Sequence, residues 1–255
     1  KFVRWIFLEK IYLSIVIPAY NEELRIERTI SKLIGYFSKC SYKWEIIVVD
    51  DGSVDSTCEI VLSLINVDSR IKLFQLNHLG KGSAVRKGMQ ESNGDWKFLC
   101  DADLSMDINN FSRFLSGSST PTHDICIASR EVEGSKRFNE PVIRHIKGRL
   151  FNYAVKILTF MRIQDTQCGF KLFSRKSSKI LFSNQKFNGW AFDVEILVIA
   201  KQSGFTIREI PINWYYKEGS KMTLIKGFLA VVDVAKIGLN SFLGKYKKLS
   251  GVKNE

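Results

Sequence analysis

The fold is decided by an apolar run that ends directly in polar residues, Ile15-Val16-Ile17-Pro18-Ala19-Tyr20-Asn21-Glu22. The pattern returns three times, where strand-like runs are followed by Asp50-Asp51-Gly52-Ser53, by Gly80-Lys81-Gly82 and by Asp101-Ala102-Asp103. In an open parallel sheet, ligands bind in the crevice beyond the carboxyl ends of the strands. The four polar clusters are therefore predicted to meet in space and form an active site.

Helical patterns fill the intervals between these strands, over residues 21–38, 55–67 and 81–92. Regular alternation of strands and helices predicts an α/β fold with a doubly wound, mostly parallel sheet. A further strand is expected at residues 124–129. No repeat or linker is recognisable, so residues 1–255 are expected to form a single domain that ends in amphipathic helices.

The charge is divided unevenly along the chain. Residues 1–129 hold 15 Lys and Arg against 16 Asp and Glu, whereas residues 130–255 hold 23 against 10. A hydrophobic content of 45% is ordinary for a globular protein, so a disordered chain is not expected. The basic second half favours a polyanionic partner, which could be nucleic acid, phosphate or an anionic membrane surface.

Five cysteines without a metal-binding spacing favour reduced thiols and a reducing compartment.

Two amphipathic, basic segments occupy residues 142–161 and 222–243. Neither is predicted to span a bilayer, because charged residues such as Lys226, Asp233 and Lys236 interrupt even the more apolar one. Each segment either packs on the sheet or lies in a membrane interface, and the basic excess favours the interface for at least one. The expected location is the cytoplasmic face of a membrane, either peripheral or through an anchor missing from this chain.

The acidic clusters suit a divalent cation. Carboxylates at Asp101 and Asp103, directly after a buried strand, can both reach one Mg²⁺ or Mn²⁺ that bridges two phosphates. Asp50 and Asp51 would repel them in a closed crevice unless a cation or hydrogen-bond donors are present. Either Asp51 or Ser53 is expected to cap the next helix, which leaves the other acid of the pair free for a base or ribose. Gly80-Lys81-Gly82 is interpreted as a glycine loop at a helix N-terminus that places Lys81 near an anion.

These segments together resemble the family 2 glycosyltransferases, whose members have the nucleotide-sugar-binding fold called GT-A. The match rests on Ile15 to Glu22, on Val48-Val49-Asp50-Asp51-Gly52-Ser53 and on Asp101-Ala102-Asp103. Three segments of the second half are similar to dolichyl-phosphate (polyprenyl-phosphate) beta-glucosyltransferases. They are Asp165-Thr166-Gln167-Cys168-Gly169-Phe170-Lys171-Leu172-Phe173, Trp190-Ala191-Phe192-Asp193-Val194-Glu195 and Glu218-Gly219-Ser220-Lys221.

The resemblance implies an inverting enzyme that moves a hexose, with UDP-glucose favoured as donor, to a polyprenyl or dolichyl phosphate. Residues 1–129 would then bind the nucleotide sugar, and residues 130–255 would face the acceptor and the membrane. The implied nucleotide-sugar residues are Pro18, Ala19, Tyr20, Glu22, Asp50, Asp51, Lys81 and Asp101. The implied metal ligands are Asp101 and Asp103, the acceptor-phosphate residues Arg130, Arg144 and Arg149, and the catalytic residues Asp103, Arg130 and Asp193. Glu195 is a further candidate for contact with sugar hydroxyls.

Two points stay open at this stage. Some family members carry Gln two residues beyond the second Asp as a metal ligand, whereas Ser105 stands here, so a weaker ligand or a water is expected. The alternatives are a mannose synthase that uses GDP-mannose, a basic nucleic-acid-binding module, and a sugar-1-phosphate nucleotidyltransferase. The last two are disfavoured, because the acids would repel nucleic acid and the nucleotidyltransferase glycine-rich loop is absent.

Overall fold

The computed structural model describes residues 10–115, 120–217 and 224–246. These residues form a central sheet of seven strands in the order β3-β2-β1-β4-β7-β5-β8, and a small second sheet of β6 and β9. The strands are β1 Leu13–Ala19, β2 Trp44–Asp50, β3 Ile71–Gln75, β4 Trp96–Leu99, β5 Ile125–Ser129, β6 Lys136–Phe138, β7 Lys171–Ser174, β8 Ile207–Pro211 and β9 Asn213–Tyr215. Only β7 runs antiparallel to its neighbours in the large sheet, which confirms the expected doubly wound, mostly parallel architecture.

Seven α-helices lie in the described ranges, and a 3₁₀ segment covers Ile108–Leu115. The helices are α1 Ile26–Phe37, α2 Thr57–Val67, α3 Lys81–Glu91, α4 Val142–Thr159, α5 Arg175–Asn184, α6 Phe192–Gln202 and α7 Leu224–Phe242. Ile15 and Ile17 of β1 pack into the cluster that contains α1, whereas Val16 packs on the opposite face with α3 and α6. Burial on both faces explains why β1 and β2 are continuous apolar runs instead of alternating ones.

Helix α1 begins at Ile26, five residues later than the sequence predicts. The backbone N–H groups of Asn21 and Glu22 donate to the Ser53 and Thr57 hydroxyls, each at 2.8 Å, and this holds the segment outside the helix. Leu24, an apolar residue within the predicted helix 21–38, is 90% exposed in that turn. The tertiary hydrogen bonds override the helical periodicity, and they tie the first polar cluster to the second.

The amphipathic helix α4 turns its apolar residues outward. Ile146 is 59% and Leu150 is 68% exposed, whereas the polar residues Asn152 and Thr159 are buried. Most of the apolar residues of segment 142–161 therefore do not pack on the sheet, although Val155 and Met161 lie in the core cluster. In α7 the buried residues are Ala230, Val234 and Ile237, while Phe228, Leu239 and Phe242 of the other face are exposed. Within the described residues, no helix has the length and apolarity that crossing a membrane requires.

Candidate active site

A cavity of about 480 Å³ opens where the carboxyl ends of β1, β2 and β4 meet. It brings together most of the residues that the sequence singles out. Those that line it are Pro18, Ala19, Tyr20, Glu22, Asp51, Lys81, Asp101, Asp103, Arg130, Arg144 and Asp193. Asp50 and Arg149 do not line it, and the segment Glu218-Gly219-Ser220-Lys221 lies outside the described residues.

The adjacent acids Asp50 and Asp51 have different partners. Asp50 closes its own turn, because its carboxylate accepts hydrogen bonds from the backbone N–H groups of Gly52 and Ser53 at 3.1 and 3.0 Å and from the Ser53 hydroxyl. Asp51 instead accepts from the N–H groups of Leu79 and Gly80 at 2.8 and 2.9 Å. The expectation that Ser53 or Asp51 caps the next helix is wrong, since Ser56 is the N-cap residue of α2, and Asp51 is the acid that faces the cavity.

His78 lines the cavity beside Asp51, and it was not predicted from the sequence. Its ring stacks on Tyr20 with centroids 4.2 Å apart, and its Nδ1 lies 3.0 Å from the Asp51 carbonyl oxygen. Gly52 permits this approach, since a Cβ there would lie 2.9 Å from the His78 backbone nitrogen. Two aromatic rings and a carboxylate form a surface suited to a planar, hydrogen-bonding base. Nothing in the spacing of His78 in the sequence signals this contact.

Asp101 and Lys81 form an ion pair on the cavity floor, with Nζ 2.7 Å from Oδ1. Burial raises the pKa of the Asp101 carboxyl above its ordinary value, and the cation of Lys81 offsets only part of that rise. Burial lowers the pKa of Lys81, but the carboxylates of Asp101 and Asp193 outweigh it and raise the pKa overall. In this structure the anion that Lys81 contacts is the Asp101 carboxylate, and its contact with a bound nucleotide sugar stays a prediction.

The glycine loop Gly80-Lys81-Gly82 packs closely against the loop that contains Asn188. The backbone N–H of Gly82 donates to the Asn188 carbonyl at 2.6 Å, and a Cβ on Gly80 would lie 2.6 Å from the same oxygen. Glu195 does not line the cavity, because its carboxylate accepts hydrogen bonds from the backbone of Lys186 and Phe187. The loop that contains Asn188 therefore fixes the position of the start of α3, and Glu195 holds that loop in place.

Asp193 reaches the cavity from the first turn of α6. Its Oδ1 accepts a hydrogen bond at 2.5 Å from Lys171, a fully buried lysine that also donates to the Cys168 carbonyl at 2.6 Å. A buried ammonium held by two acceptors fixes the position of the facing carboxylate. Burial raises the pKa of the Cys168 thiol to about 12, so this cavity-lining thiol stays protonated at neutral pH and is not a nucleophile.

The arginine side of the cavity is built around Trp214. Arg130 binds Asp165 through Nε at 2.7 Å and through Nη2 at 2.9 Å, and its guanidinium lies 5.3 Å from the Trp214 ring centroid. Burial raises the pKa of Asp165, but Arg130 outweighs it and the pKa is lowered. Arg144 of α4 lies 4.9 Å from the Tyr216 ring centroid. Arg149 pairs with Glu131 at 2.8 Å, outside the cavity.

The carboxylates on the cavity floor fit a divalent cation. Asp101 Oδ1 is buried and, apart from the ion pair with Lys81, receives no well-directed hydrogen bond from the described residues. Asp103 Oδ1 accepts hydrogen bonds from the Ser105 N–H and hydroxyl at 2.9 and 2.6 Å. No cluster of three or more His, Cys, Asp or Glu suited to a metal occurs in the described part of the chain. Mg²⁺ is commonly held by one or two carboxylates together with substrate phosphates, so this donor set fits a metal that arrives with a diphosphate.

Further cavity residues were not predicted from the sequence. The side chains of Gln167, Trp190, Lys217 and Leu229 line the cavity together with Asp233 of α7. Burial and the neighbouring Lys32 lower the pKa of Lys217. Gln167 and Trp190 lie in two of the segments that carry the family resemblance, whereas no local pattern marks Lys217, Leu229 or Asp233.

Comparison with known proteins identifies related sequences and folds. The family model described as Glycosyl transferase family 2 matches residues 14–182. The dolichyl-phosphate beta-glucosyltransferase of Saccharomyces cerevisiae is 35% identical to this chain, over 94% of the chain and 78% of the relative. The enzyme of the same name from Homo sapiens is 34% identical, over 92% of the chain and 77% of the relative.

Solved structures share the fold at lower identity. Glucosyl-3-phosphoglycerate synthase from Mycobacterium tuberculosis, in complex with Mn²⁺ and uridine-diphosphate-glucose, superimposes with a TM-score of 0.64 at 17% identity. The match covers 90% of this chain and 78% of that one. This likeness supports the GT-A fold.

Proposed function

Because the chain belongs to glycosyltransferase family 2, we propose that it transfers glucose from UDP-glucose to a dolichyl or other polyprenyl phosphate at a membrane surface. One observation carries the proposal: a single cavity joins the carboxylates Asp101 and Asp103 to Arg144 of α4 and Leu229 of α7. The first pair suits a nucleotide diphosphate with its metal. Arg144 and Leu229 belong to α4 and α7, the two helices whose exposed faces are apolar.

The donor is proposed to lie along the acidic side of the cavity. Tyr20 and His78 provide aromatic faces for the base, and Asp51 accepts hydrogen bonds beside them. Asp101 and Asp103 would hold Mg²⁺ or Mn²⁺ together with the donor diphosphate, and the metal would supply charge stabilisation for the leaving group. Asp193, positioned by Lys171, accepts hydrogen bonds from sugar hydroxyls. Uridine-diphosphate-glucose in the Mycobacterium tuberculosis neighbour supports this choice of donor.

The acceptor is an anion, so the reaction needs no general base. A phosphate oxygen of the lipid forms a bond to the anomeric carbon while the bond from that carbon to the diphosphate oxygen breaks. UDP leaves, and the configuration at the anomeric carbon inverts. Arg130 and Arg144 provide positive charge on the acceptor side. Among the described residues lining the cavity, Cys168 is the only thiol, and its raised pKa agrees with a mechanism that has no covalent intermediate.

A panel of donors tests the identity of the sugar and the nucleotide. With dolichyl phosphate in detergent, UDP-glucose should give glycolipid at a rate well above that with GDP-mannose or UDP-galactose. Faster transfer from GDP-mannose would replace the proposal by a mannose synthase. The names of the matched relatives do not favour that alternative or a nucleic-acid-binding module.

Arg130 has a structural partner as well as a proposed role with phosphate. Arg130→Ala leaves Asp165 as an unpaired buried charge, so we expect the variant to be destabilised by about 3–5 kcal/mol. Arg130→Lys keeps the charge but loses the two-point contact, so it should raise the apparent KM for lipid phosphate more than that for UDP-glucose. Thermal unfolding and steady-state kinetics measure the two effects. Equal changes in both KM values, or none, would show that Arg130 serves only the fold.

The exposed face shared by α4 and α7 is proposed to contact the membrane. It consists of Val142, Ile143, Ile146, Leu150, Tyr153, Ile157 and Phe160 with Phe228, Leu229, Leu239, Phe242 and Leu243. Arg144 stands beside this face and also lines the cavity, so a bilayer there lies next to the proposed site for the lipid phosphate. The basic excess of residues 130–255 matches the negative charge expected of a cytoplasmic leaflet.

Vesicle binding should therefore depend on both lipid charge and α4. We expect tighter binding to anionic than to neutral vesicles, weaker binding as salt rises, and a loss of about tenfold for Leu150→Asp. Leu62→Asp is a matched control, because Leu62 is an exposed leucine on α2, far along the chain from this face. Equal binding of all forms to both kinds of vesicle in a sedimentation assay would exclude the membrane face.

A further inference from the structure

We propose that Lys81 is an internal counter-ion that competes with the divalent cation for Asp101 and moves to the donor diphosphate when metal and nucleotide bind together. The inference rests on the proposed function, since it concerns the metal and the diphosphate of that reaction. It assigns to Lys81 the control of the order in which these ligands bind.

Lys81 occupies one oxygen of Asp101. Oδ1 is buried and meets the Lys81 ammonium at 2.7 Å. Oδ2 lies so close to the backbone of Gly169 that a Cβ at that position would be 1.7 Å away. The Asp101 side chain is nevertheless 26% exposed. A cation that binds this carboxylate therefore lies next to the Lys81 ammonium and competes with it for the same negative charge.

The ion pair between Lys81 and Asp101 is short, but another cation can replace Lys81 in it. Asp101 Oδ1 receives no well-directed hydrogen bond from any described residue, so the contact is held mainly by charge. The Lys81 Nζ also lies 5.1 Å from the Trp190 ring centroid, and the lysine side chain is a flexible four-carbon stem. Its ammonium can leave the carboxylate without movement of the helix.

The backbone of Lys81 is fixed. It is the first residue of α3, between two glycines whose added Cβ atoms would collide with the backbone oxygens of Asn188 and Phe187 at 2.6 and 2.8 Å. Asp103, the other proposed ligand, is held by hydrogen bonds from Ser105, with no ion pair to a described lysine or arginine. Lys81 is therefore the group that must move when the metal binds, and movement of the side chain is sufficient.

This exchange couples the two ligands. A divalent cation alone has to displace Lys81 from its ion pair in a largely buried site, which leaves only the more distant carboxylates of Asp193 and Asp103 near its ammonium. A nucleoside diphosphate gives that ammonium a new anion, so each ligand should increase the affinity for the other by the same factor. The free protein should bind metal weakly, and UDP should strengthen that binding.

Mn²⁺ binding without sugar or acceptor tests the proposal, with the fraction of free ion measured by electron paramagnetic resonance. Lys81→Met should bind Mn²⁺ in the absence of nucleotide more tightly than the parent, by on the order of tenfold or more, and UDP should add less to its affinity than it adds to that of the parent. Lys87→Met is the matched control, because Lys87 stands on the same helix and also forms a 2.7 Å ion pair, with Glu91 at the surface. It should bind Mn²⁺ as the parent does.

An unchanged or weaker Mn²⁺ affinity in folded Lys81→Met would overturn the proposal, and so would a parent that binds no Mn²⁺ even with UDP. If Lys81→Met does not fold, Lys81→Gln removes the charge and retains a hydrogen-bond donor, and the same outcomes decide. The result is independent of the transfer reaction. Tighter Mn²⁺ binding by Lys81→Met in a chain that does not transfer glucose would support the counter-ion and reject the proposed function.

Discussion

Replacing Asp103 with alanine should lower kcat/KM for glucosyl transfer by on the order of 10²- to 10³-fold. The Ser105 N–H and hydroxyl both bind Oδ1, which leaves the second carboxylate oxygen for a cation on the cavity floor. Without it, Asp101 is the remaining proposed carboxylate ligand, and its Oδ1 already carries Lys81. The residual activity should respond only weakly to added Mn²⁺.

Asp107→Ala is the control for this variant. Asp107 lies four residues further on and is exposed, and its carboxylate accepts hydrogen bonds from Asn109 in its own turn. Its removal should leave the rate and the metal response close to those of the parent. If Asp103→Ala keeps most of its turnover and an unchanged Mn²⁺ requirement, Asp103 is not a metal ligand.

Gly169→Ala should reduce transfer by about 10²-fold although the residue contributes no side chain. The new Cβ would lie 1.7 Å from Asp101 Oδ2 and 2.2 Å from its Cγ, so the carboxylate has to leave its position. A displacement near 1 Å at a reacting group is sufficient for a loss of this size. The variant should remain folded, because the collision is with one side chain at the edge of a cavity.

Gly35→Ala provides the comparison, since an added Cβ at that position in α1 meets nothing within 4 Å. It should stabilise the protein slightly and leave transfer unchanged. The two variants are compared by thermal unfolding and by the Mn²⁺ dependence of transfer. A Gly169→Ala variant with parent-like activity would mean that the position of Asp101 is not critical.

The sequence predicts the part of this molecule that depends on local pattern. Strand ends such as Ala19, Asp50 and Leu99 follow from apolar runs that stop at polar clusters, and parallel pairing then brings the clusters together. The predicted clusters contain the cavity residues of the first 105 positions, except Arg25, His78, Ala84 and Ser105.

The remaining features depend on which partner a side chain finds in three dimensions. Periodicity marks α4 as amphipathic, but it does not say that the apolar side faces outward and that Asn152 is buried. Composition counts Lys171 among the basic residues, although it is fully buried against Asp193. The adjacent acids Asp50 and Asp51 look equivalent in sequence, and only the fold shows that Asp50 closes a turn.

Transfer of labelled glucose to matched lipids tests the central claim most directly. The purified chain is incubated with radiolabelled UDP-glucose, Mn²⁺ and anionic vesicles that contain either dolichyl phosphate or dolichol. We expect label in the lipid fraction with dolichyl phosphate and none with dolichol, because only the phosphate is a nucleophile that is already ionised and needs no general base. Label in dolichol, or no label in either lipid while UDP-glucose stays bound, would contradict the account.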